Sequence, residues 1–342
     1  MRTRFISIAL AALVALGGLA SAQAERPGEG VTLKPAIAGW DDARPVQAIF
    51  DQILEELGYT VERPIMLDNP FFYTAVALGD VDFWTSGWFP LHNAQLPPNF
   101  FDTASIAGTI IPAGGSQGYL VTKSAAEEFG ITSLEDFKRP EVKAAFDRSG
   151  DGKADLVACP PGWGCETVIE HHLDVYDLRD HVNDIKAAYN PAFADALADY
   201  RSGQPVLYYT WTPNFTVFQM VPGVDSVWIN VPEIVPNEAQ EGFEEFMVIS
   251  GLEGGVTDPV LMGFVADDIQ AVANNDFLEA NPAVASILAN VQIPVGDVSE
   301  MTLRISQGED GDDAVDAMAA EWIEANRAQV DAWLAEARAA AN

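Results

Sequence analysis

The sequence predicts an α/β protein of two lobes, and three observations carry that prediction. Apolar runs of strand and helix periodicity alternate from Val31 onward, as in a parallel sheet with crossover helices. The 342 residues exceed what one compact core usually holds. With 49% hydrophobic and 10% aromatic residues, there is enough apolar surface to build two cores.

The elements follow in order. Arg2 and Arg4 precede an apolar run over 5–19, and Ala22-Gln23-Ala24 fits a small-x-small cleavage site. Residues 1–24 therefore read as a signal peptide that is cleaved to leave Glu25 first, with cleavage after Ala22 as a close competitor. The run is too short for a membrane span, and no cysteine stands at the cleavage site to be lipidated. The expected location is periplasmic. Residues 31–37 predict a strand ending near Trp40. Val46, Ile49, Phe50, Ile53, Leu54 and Leu57 keep helical spacing, which Gly58 closes. A second strand over 59–67, a second helix over 71–78 and a third strand over 81–85 continue the alternation. Residues 118–121 read as a strand leaving the first lobe, Ser133 and Asp136 as a capping box opening a helix, and 261–265 as the returning strand. Residues 315–334 read as one long helix that buries Trp322 and Trp333, with Asp312 and Asp313 near its positive end. The expected boundaries are 25–116 with 262–342 for the first lobe, and 117–261 for the second.

Charge narrows the partners. The chain carries 51 acidic against 18 basic residues, a net charge of −33, and loss of Arg2 and Arg4 with the leader deepens it. Such a surface repels nucleic acid and anionic lipid, so neither is expected as a partner, while cationic solutes are attracted at short range.

Three tryptophans stand beside Gly and Pro far apart in the chain: Trp88 in Gly-Trp-Phe-Pro-Leu-His, Trp163 in Pro-Pro-Gly-Trp-Gly-Cys, and Trp211 in Tyr-Thr-Trp-Thr-Pro. Read as loop residues, they present aromatic faces at a surface, and several such faces together suit a quaternary ammonium. The competing reading is half-buried packing. Trp88 and His92 follow the third strand at its carboxyl end, where ligands gather in such sheets. Cys159 and Cys165, six residues apart in an exported chain, read as one small-loop disulfide stiffening the Trp163 loop, with a metal pair as the weaker alternative. Asp147, Ser149, Asp151, Lys153 and Asp155, with Gly152 at the sixth position, match the front of an EF-hand-type calcium loop. Ala158 stands where the bidentate Glu belongs, so an Asp/Gly turn closed by its own side chains is the alternative. Any calcium would be structural, and no other cofactor is required. His171 and His172 are neighbours on a helix and point to different faces.

The segment from Phe146 to Glu166, with Asp-Gly-Lys-Ala-Asp-Leu and Pro-Gly-Trp-Gly-Cys-Glu, resembles the periplasmic glycine betaine/proline betaine-binding proteins of ABC importers. Trp-Phe-Pro-Leu-His-Asn at 88–93, Tyr-Tyr-Thr-Trp-Thr-Pro at 208–213 and Leu-Gly-Tyr-Thr-Val at 57–61 extend the likeness over nearly the whole mature chain. The resemblance implies a type II periplasmic-binding-protein fold, α/β, with two lobes of mainly parallel sheets joined by two hinge crossovers. It places the box around a trimethylammonium group on Trp88, Trp163 and Trp211. It places the carboxylate contacts on His92 and the backbone amides of Gly164 and Cys165, and the disulfide on Cys159 and Cys165. It also implies membrane permease subunits as partners and a role in osmoprotectant uptake; the chain itself is expected to be a monomer.

Two tryptophans depart from the family's pattern. Trp84 either extends the aromatic wall or packs beneath it, packing being favoured, and Trp40 lies at the ligand end of the first strand. The extra rings widen the ligand question to dimethylsulfoniopropionate, carnitine and choline, of which choline leaves His92 without a carboxylate. Three desolvated faces at up to about 2 kcal/mol each, with charge-assisted hydrogen bonds at about 1.5–3 kcal/mol, cover the ~8 kcal/mol of micromolar binding. An exported hydrolase is the alternative class. Ser86 lies near His92, but no Gly-x-Ser-x-Gly elbow occurs, so no enzymatic activity is expected.

Overall fold

The computed structural model describes residues 26–341. The signal peptide expected over 1–24 and its expected cleavage site lie outside the described residues.

The chain opens with β1 (Thr32–Leu33), β2 (Ala36–Ile37), α1 (Ala43–Glu56), β3 (Thr60–Val61), β4 (Ile65–Met66), α2 (Asn69–Leu78) and β5 (Phe83–Phe89). Val46, Ile49, Phe50, Ile53 and Leu54 are all buried on α1. Past the end of the helix Gly58 takes φ +94, a conformation that side-chain-bearing residues rarely adopt. The strand pairs β1–β3 and β2–β4 are parallel. After β5, the long β6 (Ala104–Gly115) passes through Ser116 into β7 (Gln117–Thr122).

The second lobe contains β8 (Ala154–Val157), α3 (Gly164–Val175), β9 (Val182–Ile185), α4 (Tyr189–Arg201), β10 (Leu207–Trp211) and β11 (Ser226–Ile229). Among the described residues its main sheet has the order β11-β7-β10-β8-β9. A small antiparallel pair, β12 (Val248–Ile249) and β13 (Val260–Leu261), precedes β14 (Asp267–Asn274), which returns to lie between β5 and β6. Two helices close the chain, α5 (Asp312–Ala325) against α1 and α6 (Arg327–Ala340) against the helix Pro282–Asn290.

The two-lobed α/β class stands, with four corrections. The sheets are mixed in sense and not mainly parallel. β7 runs antiparallel to β10 and β11, and β14 antiparallel to β5 and β6, because each of these strands enters its sheet from the opposite lobe. The returning strand is β14; residues 260–261 pair with β12 instead. The tail is two helices, broken at Asn326 (φ −107, ψ 19), although Trp322 and Trp333 are buried as expected. The Ser133–Asp136 capping box is present but opens a single 3-10 helix, Leu134–Lys138.

Candidate functional site

A small cavity of about 20 Å³ lies between the lobes. That is room for about one water, so a ligand of betaine size enters only as the walls move apart. Trp40, Trp88, Leu91 and His92 line it from the first lobe, Gln117 from the first crossover, and Trp163, Gly164, Cys165, Tyr209 and Trp211 from the second lobe. The six residues that the family pattern singled out thus meet in one place.

Their settings differ from the loops expected. Trp88 belongs to β5, every residue of which is buried, and Trp211 ends β10; only Trp163 stands in a turn, at the N-cap of α3. The alternation of a strand, and not a stiff loop, therefore aims two of the rings. Trp40 meets Trp163 edge to face at 5.2 Å, and Trp163 meets Trp211 likewise at 5.5 Å. Tyr189 and Tyr209 back Trp211 at 4.7 and 5.9 Å. Trp84 does not line the cavity. It is fully buried and stacked on Phe72 at 3.9 Å, beneath the wall, because residue 84 packs against α2.

His92 sits in the 3-10 helix Leu91–Gln95. The Tyr73 hydroxyl is 2.6 Å from its Nδ1, the Trp88 N–H donates toward the same atom at 3.2 Å, and the Asn69 amide is 2.9 Å from Nε2. Burial pushes its pKa down to about 3, so the ring is neutral. Both nitrogens are engaged within the first lobe, and it is the Cδ2 edge that faces Gly164: a Cβ added there would stand 2.9 Å away. A carboxylate contact from His92 requires a ligand oxygen to replace Asn69.

Gly164 and Cys165 begin α3, and Trp163 at the N-cap supplies no side-chain cap. Helix-opening N–H groups lack intrahelical acceptors, and the helix dipole adds positive potential there. Cys159 and Cys165 form the disulfide, tying this helix start to the end of β8. One pocket therefore brings together an aromatic wall and a helix start, the kind of backbone arrangement at which anions bind.

Beneath the pocket, Asp267 at the start of β14 accepts from the Leu91 N–H (3.2 Å) and from Gln117 Nε2 (2.8 Å), and Gln117 Oε1 accepts from the Tyr209 hydroxyl (2.7 Å). Burial raises the Asp267 carboxyl from 3.8 to about 8. Sequence reasoning missed Leu91, Gln117 and Tyr209 as lining residues. Period-two spacing from Trp211 could have found Tyr209. Gln117 became visible only through its register opposite Trp211.

The loop 147–155 lies elsewhere. The Asp147 carboxylate accepts from the N–H groups of Gly150, Asp151 and Gly152, Asp151 from that of Lys153, and Asp155 from those of Arg148 and Ser149. Among the described residues no group of three or more His, Cys, Asp or Glu is placed to hold a metal ion. His172 is buried against Tyr119, and His171 bonds the Val235 carbonyl.

Residues 31–325 match the family profile described as the substrate binding domain of an ABC-type glycine betaine transport system. The chain belongs to this family. The glycine betaine-binding periplasmic protein OusX of Dickeya dadantii (strain 3937) is 37% identical over 340 residues, 99% of each chain. The glycine betaine/proline betaine-binding periplasmic protein of Salmonella typhimurium is 34% identical over 339 residues, 99% of this chain and 98% of that one. Lactococcal OpuAC, in its closed conformation with glycine betaine, superposes with a TM-score of 0.67 at 18% identity, covering 89% of this chain and 99% of its own. As an ABC-type substrate-binding domain, the chain is a solute-binding protein and not an enzyme; it works with a membrane permease and, like its family, needs no cofactor. Among the described residues no helix is long and apolar enough to cross a membrane.

Proposed function

We propose that this protein captures glycine betaine or proline betaine between its lobes and presents it to the permease of an ABC importer for osmoprotectant uptake. The observation that carries this reading is the pairing within one small cavity of an indole wall and an uncapped helix start. Trp40, Trp88, Trp163 and Trp211 surround the methylated cation, and the Gly164 and Cys165 amides receive the carboxylate. His92 joins them once the carboxylate displaces Asn69. Dimethylsulfoniopropionate and carnitine share the same two poles and are the competing ligands; choline leaves the amides unused.

The accompanying readings are these. The chain is an exported periplasmic monomer, cleaved after Ala24 and not lipidated, with residues 25–116 and 262–342 forming one lobe and 117–261 the other. The loop 147–155 is a turn closed by its own carboxylates, and a calorimetric calcium titration that gives heat would reverse that assignment.

Intrinsic tryptophan fluorescence tests the ligand. The mature protein should give a saturable change with glycine betaine and proline betaine. Trp163→Ala should weaken binding about thirtyfold, the worth of one desolvated cation–π face at about 2 kcal/mol. No response to any methylated onium compound, from folded and ligand-free protein, sinks the reading.

A further inference from the structure

Trp40, Asp41 and Asp42 form the turn between β2 and α1, and each of the three reaches the second lobe. Trp40 packs on Trp163 at 5.2 Å. Asp41 Oδ2 accepts from Asn190 Nδ2 at 2.7 Å, near the start of α4. Asp42 Oδ1 accepts from Trp211 Nε1 at 3.0 Å, at the end of β10.

Asp42 precedes α1 with helical backbone (φ −67, ψ −22) and its side chain does not cap the helix, which leaves the carboxylate to reach across the cleft. Its carboxylate reaches Trp211 of the other lobe, and the residue is 2% exposed. Burial raises its carboxyl to about 7. A buried carboxylate that meets an indole N–H of the other lobe marks a contact that serves the arrangement of the lobes.

We infer that Trp40-Asp41-Asp42 is a clasp that forms on closure, in which Asp42 positions the Trp211 indole in the pocket. Second-lobe tyrosines hold the Trp211 ring from behind, but its N–H pole is met by the first lobe alone. When the lobes part, water takes the place of Asp42. The bond therefore exists only in the closed form and biases the equilibrium toward it, which tightens apparent affinity by slowing release. Asp42 is a positioning residue: it does not itself line the cavity and acts through Trp211, which does. The inference uses the ligand reading above only in taking glycine betaine as its probe.

A double-mutant cycle on the dissociation rate, by stopped-flow displacement of glycine betaine, decides it. Asp42→Ala should raise koff about tenfold or more, the worth of a hydrogen bond to a charged group. Trp211→Phe, which keeps a ring and loses the donor, should raise koff as well. Asp42→Ala added to Trp211→Phe should then change koff by less than about threefold, and Asp42→Asn, whose amide oxygen still accepts, should restore most of the loss. Additive effects, or a lower melting temperature with unchanged koff, overturn the clasp. If the wild type binds no betaine, the ligand reading falls by itself. The clasp is then read by small-angle X-ray scattering, where Asp42→Ala must expand the unliganded chain and an unchanged radius of gyration rejects it.

Discussion

The second-lobe wall of the pocket is a helix start joined to its own strand by Cys159–Cys165, five residues enclosing Trp163 between them. The first-lobe wall is a strand end and a 3-10 turn, held by side chains distant in sequence: Asn69 and Tyr73 from α2, and Asp267 from the returning strand. One wall is organised locally and covalently, the other through a buried hydrogen-bond network. The lesson is one of reach. Damage to the second wall should stay local, whereas damage to the first should spread through the crossover strands to Gln117 on β7 and, by its hydrogen bond, to Tyr209 on β10.

The largest effect should come where the walls touch. A Cβ at Gly164 would lie 2.9 Å from both His92 Cδ2 and Leu91 Cγ across the cleft. Gly164→Val should weaken betaine binding about a hundredfold, matching overpacking of up to about 3 kcal/mol, with the melting temperature preserved because each lobe still folds. A fall in melting temperature of equal size would show that Gly164 is a folding residue and blur the comparison.

Next comes the staple. Cys159→Ser with Cys165→Ser should lower unfolding stability by about 2 kcal/mol, the loop-closure worth of so small a ring, measured by denaturant unfolding. Betaine binding should weaken through a looser Trp163 loop, while tyrosine fluorescence and exchange protection in β5 stay as in the wild type. Loss of protection in β5 would contradict the local character of this wall.

The smallest effect is a pH slope belonging to the first wall. Burial raises the Asp267 carboxyl from 3.8 to about 8, so the folded chain keeps a proton that the unfolded chain releases. The wild type should therefore lose stability as pH rises through that window, and Asp267→Asn should lose that part of the slope. The buried rings of His92 and His172, lowered to about 3, act in the opposite sense below about 6.5 and cancel in the difference. A variant with the wild-type slope would remove Asp267 from the account.

Much of this was legible in the sequence. The α1 stripe from Val46 to Leu54 sits where its spacing places it, and Trp88, His92, Trp163, Gly164, Cys165 and Trp211 meet in one cavity. The rest depended on long-range pairing. β5 reads as loop beyond Thr85 because Ser86 and Gly87 look like turn residues, yet β14 pairs it through Phe89. β14 itself was hidden between Asp267-Asp268 and Asn274-Asn275, polar pairs that suggest loops. The tail helix breaks at Asn326 with no Gly or Pro to announce it. Nothing local in the sequence marks Asp42, because its partner lies 169 residues away.

The central claim is that the indole wall recognises positive charge and not merely a bulky methylated shape. Titration calorimetry with glycine betaine and with 3,3-dimethylbutanoate, which has the same outline and carboxylate but carbon in place of nitrogen, tests it directly. The account predicts that betaine binds at least about a hundredfold more tightly, since several cation–π faces are lost together. Equal affinities would contradict it and leave a pocket that reads only shape and a carboxylate.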